Sequence, residues 1–310
     1  MLTRQIKLNE RIKIISITFL VGILFNSLAI ANEFKTVYEP SGAVVLSDGK
    51  VLLVEDEPKR TLQLLEVTKK GKIKELGTPK ISKSIKRELE KEVNDVEGVT
   101  TNGKGQVYLI TSHSTNKNYK HNKAREQIVR LEYKDGKFSS FKHYHGLLKA
   151  LKKLHPKFNS SAHKHKKEVN IEALAWDKKS KSLLIGLRSP LVKGKAVVVS
   201  LKNPNAIFDK KKRPKLDKPI LLDLKGNGIR AMSWDEEKEG YWIVAGSAGK
   251  RKSSFSLWFW NKKKNILNLA HKNVDIGYAE GVTPIKGIGL FLVQDNGSVT
   301  THGGGYLFIK

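Results

Sequence analysis

The chain has 310 residues, more than the roughly 100–200 that one core usually organises, so either two domains or a single repeat architecture is expected. A formal charge of +28 favours polyanionic partners, and the absence of cysteine excludes a disulfide framework, a thiolate metal site and lipid attachment through cysteine.

In chain order the first feature is a leader. Arg4, Lys7, Arg11 and Lys13 precede an apolar run from Ile14 to Leu28, and Ala29-Ile30-Ala31 then leads to Asn32. This charged, apolar, small-x-small order predicts a signal peptide over 1–31, cut after Ala31. The apolar run is long enough that a retained membrane anchor stays open as an alternative. Without the leader, which removes four basic residues and Glu10, the mature chain 32–310 carries about +25. Export to the periplasm or the medium makes nucleic acid an unexpected partner. Envelope polyanions, acidic glycans or phosphorylated small molecules take its place, and a merely solvated lysine-rich surface is the other reading. No second apolar run is able to span a membrane, and a monomer is expected.

The body repeats a short grammar in which a polar residue and Gly or Ala open an apolar strand. The markers are Ser41, Glu97, Glu172, Arg230 and Glu280, separated by 56, 75, 58 and 50 residues. Each is followed by a second apolar run, at Val51–Val54, Val107–Ile110, Leu183–Leu187, Tyr241–Ala245 and Gly289–Val293. Turn signals such as Ser47-Asp48-Gly49 and Asp135-Gly136 separate β-branched runs that read as antiparallel strands. Third and fourth strands are legible at Ile128–Tyr133 with Phe138–Phe141, Ala196–Leu201 with Ile220–Leu224, and Phe255–Trp260 with Ile266–Leu269. The pattern predicts an all-β fold, a single β-propeller of about five four-stranded blades. The last repeat stops after Gly305–Ile309, and Phe34–Tyr38 is expected to supply its outer strand and close the ring. Two short helical insertions, Lys83–Val93 and Gly146–Leu154, join successive blades and are expected on the channel face.

In a meander the start of the first strand and the end of the second share one face. The five markers should therefore meet Glu55, Asp56, Ser112, His113, Arg188, Ser247, Asp295 and Asn296 around the channel mouth. Two readings of this set stay open. The arginines can simply neutralise the glutamates and set blade register. Alternatively Glu97, Glu172, Glu280, Asp56 and Asp295 supply hard oxygen donors of the kind Ca²⁺ takes, while Arg188 and Arg230 hold a phosphate or carboxylate and His113 acts as acid or base.

Taken together and in order, Ser41-Gly42-Ala43, Asp95-Val96-Glu97-Gly98, Thr111-Ser112-His113-Ser114, Asn170-Ile171-Glu172-Ala173-Leu174, Gly186-Leu187-Arg188-Ser189-Pro190, Gly228-Ile229-Arg230 and Ala279-Glu280-Gly281-Val282 resemble the domain-of-unknown-function 3616 family. That bacterial family is related to phytase-like and esterase-like propellers. The resemblance covers nearly all of the mature chain and implies a propeller with the marked residues near its axis. By analogy of fold it suggests Ca²⁺-dependent phosphoester hydrolysis. Ala173 and Arg230 depart from the pattern, which expects glycine and glutamate there.

Other signals are weaker. His143-x-His145 and His163-x-His165 lack a third ligand at metal spacing. Lys210-Lys211-Lys212-Arg213 reads as an exposed turn, and Trp258 and Trp260 as packing between blades. No nucleophile elbow, phosphate loop or dinucleotide fingerprint occurs. Two functions remain: a metal-assisted hydrolase of an anionic phosphoester, with Glu97, Glu172, Glu280 and His113 as catalytic candidates, Arg188 and Arg230 for substrate, and Asp56 and Asp295 for Ca²⁺; or a non-catalytic binding propeller for an envelope polyanion or a protein.

Overall fold

The computed structural model describes residues 32–56, 61–116, 118–159, 168–249, 255–296 and 303–310. The expected leader, 1–31, and His163-x-His165 lie outside the described residues.

The chain enters on β1 (Asn32–Glu33) and builds the first blade from β2 (Pro40–Val45), β3 (Val51–Glu55), β4 (Leu62–Val67) and β5 (Ile73–Gly77). Helix α1 (Lys83–Glu92) leads to the second blade, β6 (Val96–Thr101), β7 (Gln106–Thr111), β8 (Ile128–Lys134) and β9 (Lys137–Tyr144). Helix α2 (Leu147–Leu154) precedes the third, β10 (Asn170–Asp177), β11 (Ser182–Val192) and β12 (Lys195–Leu201), which α3 (Pro204–Asp209) connects to β13 (Ile220–Leu222). The fourth blade is β14 (Asn227–Asp235), β15 (Gly240–Ser247), β16 (Ser256–Asn261) and β17 (Ile266–Ala270). The fifth is β18 (Ala279–Ile285), β19 (Gly289–Gln294), β20 (Gly305–Ile309) and, as its outer strand, β1. These five four-stranded antiparallel sheets form a β-propeller.

The strand sequences explain the layering. Inner strands are covered on both faces by neighbouring blades, so β3 reads as the unbroken run Val51-Leu52-Leu53-Val54 and is buried throughout. Outer strands meet solvent on one side: β5 alternates between partly buried Ile73 and Glu75 and exposed Lys74 and Leu76. Each joint between blades is then a separate apolar cluster. Trp258 and Trp260 fill the joint between the third and fourth blades, with Ala173, Ala196 and Val198 opposite.

Ring closure differs in register from the sequence expectation. Asn32 lies opposite Tyr306 and Glu33 opposite Gly305, so the closing strand lies just upstream of Phe34–Tyr38. The reason is apolar burial. Phe34 and Val37 are only 2% and 1% exposed, in a cluster with Phe291 and Val293, where an outer strand would leave one side of that segment in water. Backbone bonds from Phe34 N–H to Gly304 C=O (2.9 Å) and from Gly304 N–H to Val37 C=O (2.8 Å) hold it there.

Both expected helices form. Ser82 caps α1 by accepting from the Ile85 N–H, and Ile85 and Leu89 are buried against the joint that includes Phe138. Leu147, Leu148 and Leu151 of α2 seal the mouth-side joint with Ile110 and Ile171. Helix α3 was not foreseen. Its Phe208 packs under the Arg130 guanidinium (5.1 Å), Arg130 donates to Asp209, and Lys210–Arg213 follows as an exposed turn. No described helix is long and apolar enough to cross a membrane.

Candidate functional site at the channel mouth

The five marker residues share one backbone device. In every blade the pairing of the two inner strands slips by one residue, between Pro40 and Gly42, Val96 and Gly98, Ile171 and Ala173, Ile229 and Ala231, and Ala279 and Gly281. The residue left out of register is Ser41, Glu97, Glu172, Arg230 or Glu280 in turn. A bulge breaks side-chain alternation and re-aims the extra residue. Here it releases a polar side chain from an otherwise apolar strand at the same point of each blade.

The small residue that follows is a packing requirement. A Cβ on Gly98 would lie 3.1 Å from the Leu174 nitrogen, and one on Gly281 would lie 3.1 Å from the Gly42 Cα. Inner strands of successive blades approach too closely there for a larger side chain.

The released side chains form an ion-paired chain across three blades. Arg188 donates Nη1–H to Glu172 Oε1 (2.8 Å), and its other donors go to the carbonyls of Ser247 (3.2 Å) and Gly249 (3.3 Å). Glu172 Oε2 pairs with Arg230 Nη1 at 2.9 Å. Arg230 also donates Nε–H to Glu280 Oε2 (2.9 Å), closes a second bond to Glu280 Oε1, and lies 5.1 Å from the Phe255 ring centre. Burial by itself would pull the Arg230 pKa down, but the Glu172 and Glu280 charges outweigh it and push it up.

On the other side of the mouth carboxylates dominate. Asp95, in the left-handed region at φ 61°, pairs with Arg125, whose guanidinium also donates to Ser114 (3.1 Å). Burial, reinforced by the Asp95 charge, raises Asp56 to about 7. Asp95 is also raised by burial, against the pull of Arg125. Glu97 is driven well above the ordinary range by burial and then by Glu172 and Asp95. Glu280 rises to about 8 through burial, partly opposed by Arg230. Asp295 is open to water at the rim, yet surrounding protein raises it too. Among the described residues, six carboxylates thus share the mouth with the guanidiniums of Arg125, Arg188 and Arg230.

The cavity enclosed by the markers is narrow, with only about 10 Å³ of solvent space, room for about one water. A ligand larger than that must sit on the mouth and not in the axis.

Other residues expected at the mouth have structural partners. Ser41 Oγ–H donates to the Val96 carbonyl and ties the first blade to the second. Glu55 is fully buried and accepts from the Tyr38 N–H (2.7 Å). His113 is 1% exposed, bonded through Nδ1 to the Thr111 carbonyl (2.8 Å), and lowered to about 4 by burial. Its backbone N–H donates to the Arg125 carbonyl (2.7 Å), so it braces the loop that carries Arg125. The exposed His143 and His145 rings lie 4.9 Å apart without a third ligand, and no group of three His, Asp or Glu among the described residues is arranged to hold a metal ion. Asp95 and Arg125 were missed as site residues. Asp95 lies two residues before a marker, a signal available in the sequence, whereas Arg125 lies in a long connection with no counterpart in the other repeats.

Residues 134–296 match the family described as "Protein of unknown function (DUF3616)". No curated protein matches the chain. Among solved structures, the exo-β-1,3-galactanase of Phanerochaete chrysosporium is similar with a TM-score of 0.50 at 10% identity, over 91% of this chain and 63% of that one. The PQQ-bound aldose sugar dehydrogenase of Streptomyces coelicolor is similar over 90% of this chain and 98% of that one, at 16% identity and a TM-score of 0.41. At 10% identity the likeness to the galactanase is one of fold.

Proposed function

This chain belongs to the DUF3616 family of proteins of unknown function, and on that footing we propose that it is an exported binding propeller whose channel mouth takes a positively charged group. One observation carries this reading: among the described residues carboxylates outnumber guanidiniums at the mouth, and the donors of Arg188 and Arg230 are already spent on Glu172, Glu280 and backbone carbonyls. A cation would displace protons from Asp56 or Glu97, whose burial makes the charged form costly until a counter-charge is supplied. Among the described residues no three acids are arranged as a metal cage, so the cation would be held by charge. Export rests on the leader composition alone.

The second reading is hydrolysis of an anionic phosphoester. It draws support from Asp56, raised to about 7, which makes it an acid able to protonate a leaving group near neutrality.

The test is the unfolding temperature of residues 32–310 with Ca²⁺, with spermidine and with inositol phosphate, followed by release of phosphate from the last. A saturating rise with either cation, accompanied by proton release and abolished by Glu97→Gln with Asp56→Asn, is the expected result. Stabilisation by the phosphate alone, lost in Arg188→Ala, would replace it with the second reading.

A further inference from the structure

We propose that the face opposite the channel mouth docks on an anionic lipid surface. In each antiparallel blade the turn between the first two strands and the turn between the last two lie away from the mouth. In all five blades these turns carry exposed lysine: Lys70, Lys104, Lys179, Lys211, Lys263 and Lys286 represent them in chain order. None of these six pairs with a carboxylate among the described residues.

Contacts between turns of different blades place them on one surface. Lys178 Nζ of the third blade reaches Glu236 Oε1 of the fourth at 2.6 Å, Lys262 of the fourth pairs with Asp177 of the third, and the Tyr133 hydroxyl donates to Asp48 at 2.7 Å. A groove of about 730 Å³ joins Lys70 of the first blade, Lys238 of the fourth, and Lys286 and Lys310 of the fifth. The β14–β15 turn is the acidic exception, with Glu236, Glu237 and Glu239 around Lys238.

The distribution selects the partner. A single polyanion strand is matched by one basic groove, but Lys104, Lys179, Lys211 and Lys263 stand outside the groove, so the charge extends around the ring of blades and complements a flat anionic sheet. The inference is independent of what the mouth binds.

The experiment is co-sedimentation of residues 32–310, which contain every strand of the five blades, with vesicles of phosphatidylcholine containing about 30 mol% phosphatidylglycerol. Substituting Lys70, Lys179, Lys263 and Lys286 by Glu is expected to lower partitioning about tenfold, while the same charge change at the mouth-side Lys120, Lys149, Lys153 and Lys157 lowers it less than about twofold. Binding of the unaltered chain should vanish between about 0.1 and 0.5 M NaCl. Unfolding temperatures of both variants, expected to match the parent, separate loss of the surface from loss of the fold. Equal losses in the two variants would reduce the effect to net charge and overturn the proposal. So would capture by heparin in solution without binding to vesicles.

Discussion

The two faces of this propeller hold charge under opposite rules. At the mouth, most of the carboxylates and guanidiniums are withdrawn from water, and they are paired, as Arg230 is with Glu172 and Glu280, or driven toward the neutral form, as Asp56 and Glu97 are. On the opposite face lysines of like charge stand in solvent, where screening within about 10 Å at 0.1 M salt makes their repulsion tolerable. A residue at the mouth is therefore constrained by its neighbours, while a residue in the turns is constrained mainly by the partner it meets.

The largest expected effect breaks the pairing at the mouth. Arg230→Ala strands two buried glutamates and should cost about 3–5 kcal/mol in urea unfolding at neutral pH. Adding Glu280→Gln should recover part of that loss. If the single variant costs less than about 1 kcal/mol, the mouth is wetter and less constrained than its geometry implies.

A smaller effect appears in pH dependence. Asp56 has a folded pKa near 7, above its ordinary value, so the folded state binds more protons than the unfolded one between about pH 4 and pH 7. Its contribution is fully present below about pH 4 and is lost as pH rises through 7. Asp56→Asn should therefore flatten the fall in unfolding temperature across that window. A slope unchanged by the substitution would assign the fall to other groups.

The smallest effect belongs to the opposite face. Lys263→Ala should change stability by less than about 0.5 kcal/mol, because the side chain is exposed and without an acidic partner among the described residues. A larger change would mean that the turn lysines are part of the packing.

Much of the fold was legible because the inner strands are apolar on both sides and recur at regular spacing, so Val51–Val54 and Tyr241–Ala245 announce themselves without tertiary information. The markers were legible for the same reason: Gly98 and Gly281 stand where neighbouring strands leave no space for a side chain. Closure register was not, since Phe34–Tyr38 has strand composition and only the apolar cluster around Phe291 decides that Phe34 turns inward. Helix α3 and the Arg130 to Asp209 bond were illegible because they depend on one blade reaching beneath another.

Sequence alone determined the repeat, the all-β class and the identity of the polar residue that opens each blade, because those follow from local periodicity and local sterics. Only the tertiary structure decided which charges are partners. Ion pairing depends on distances between residues far apart in the chain, and the ring brings Glu172, Arg230 and Glu280 together at the mouth while gathering the turn lysines of all five blades on the other side.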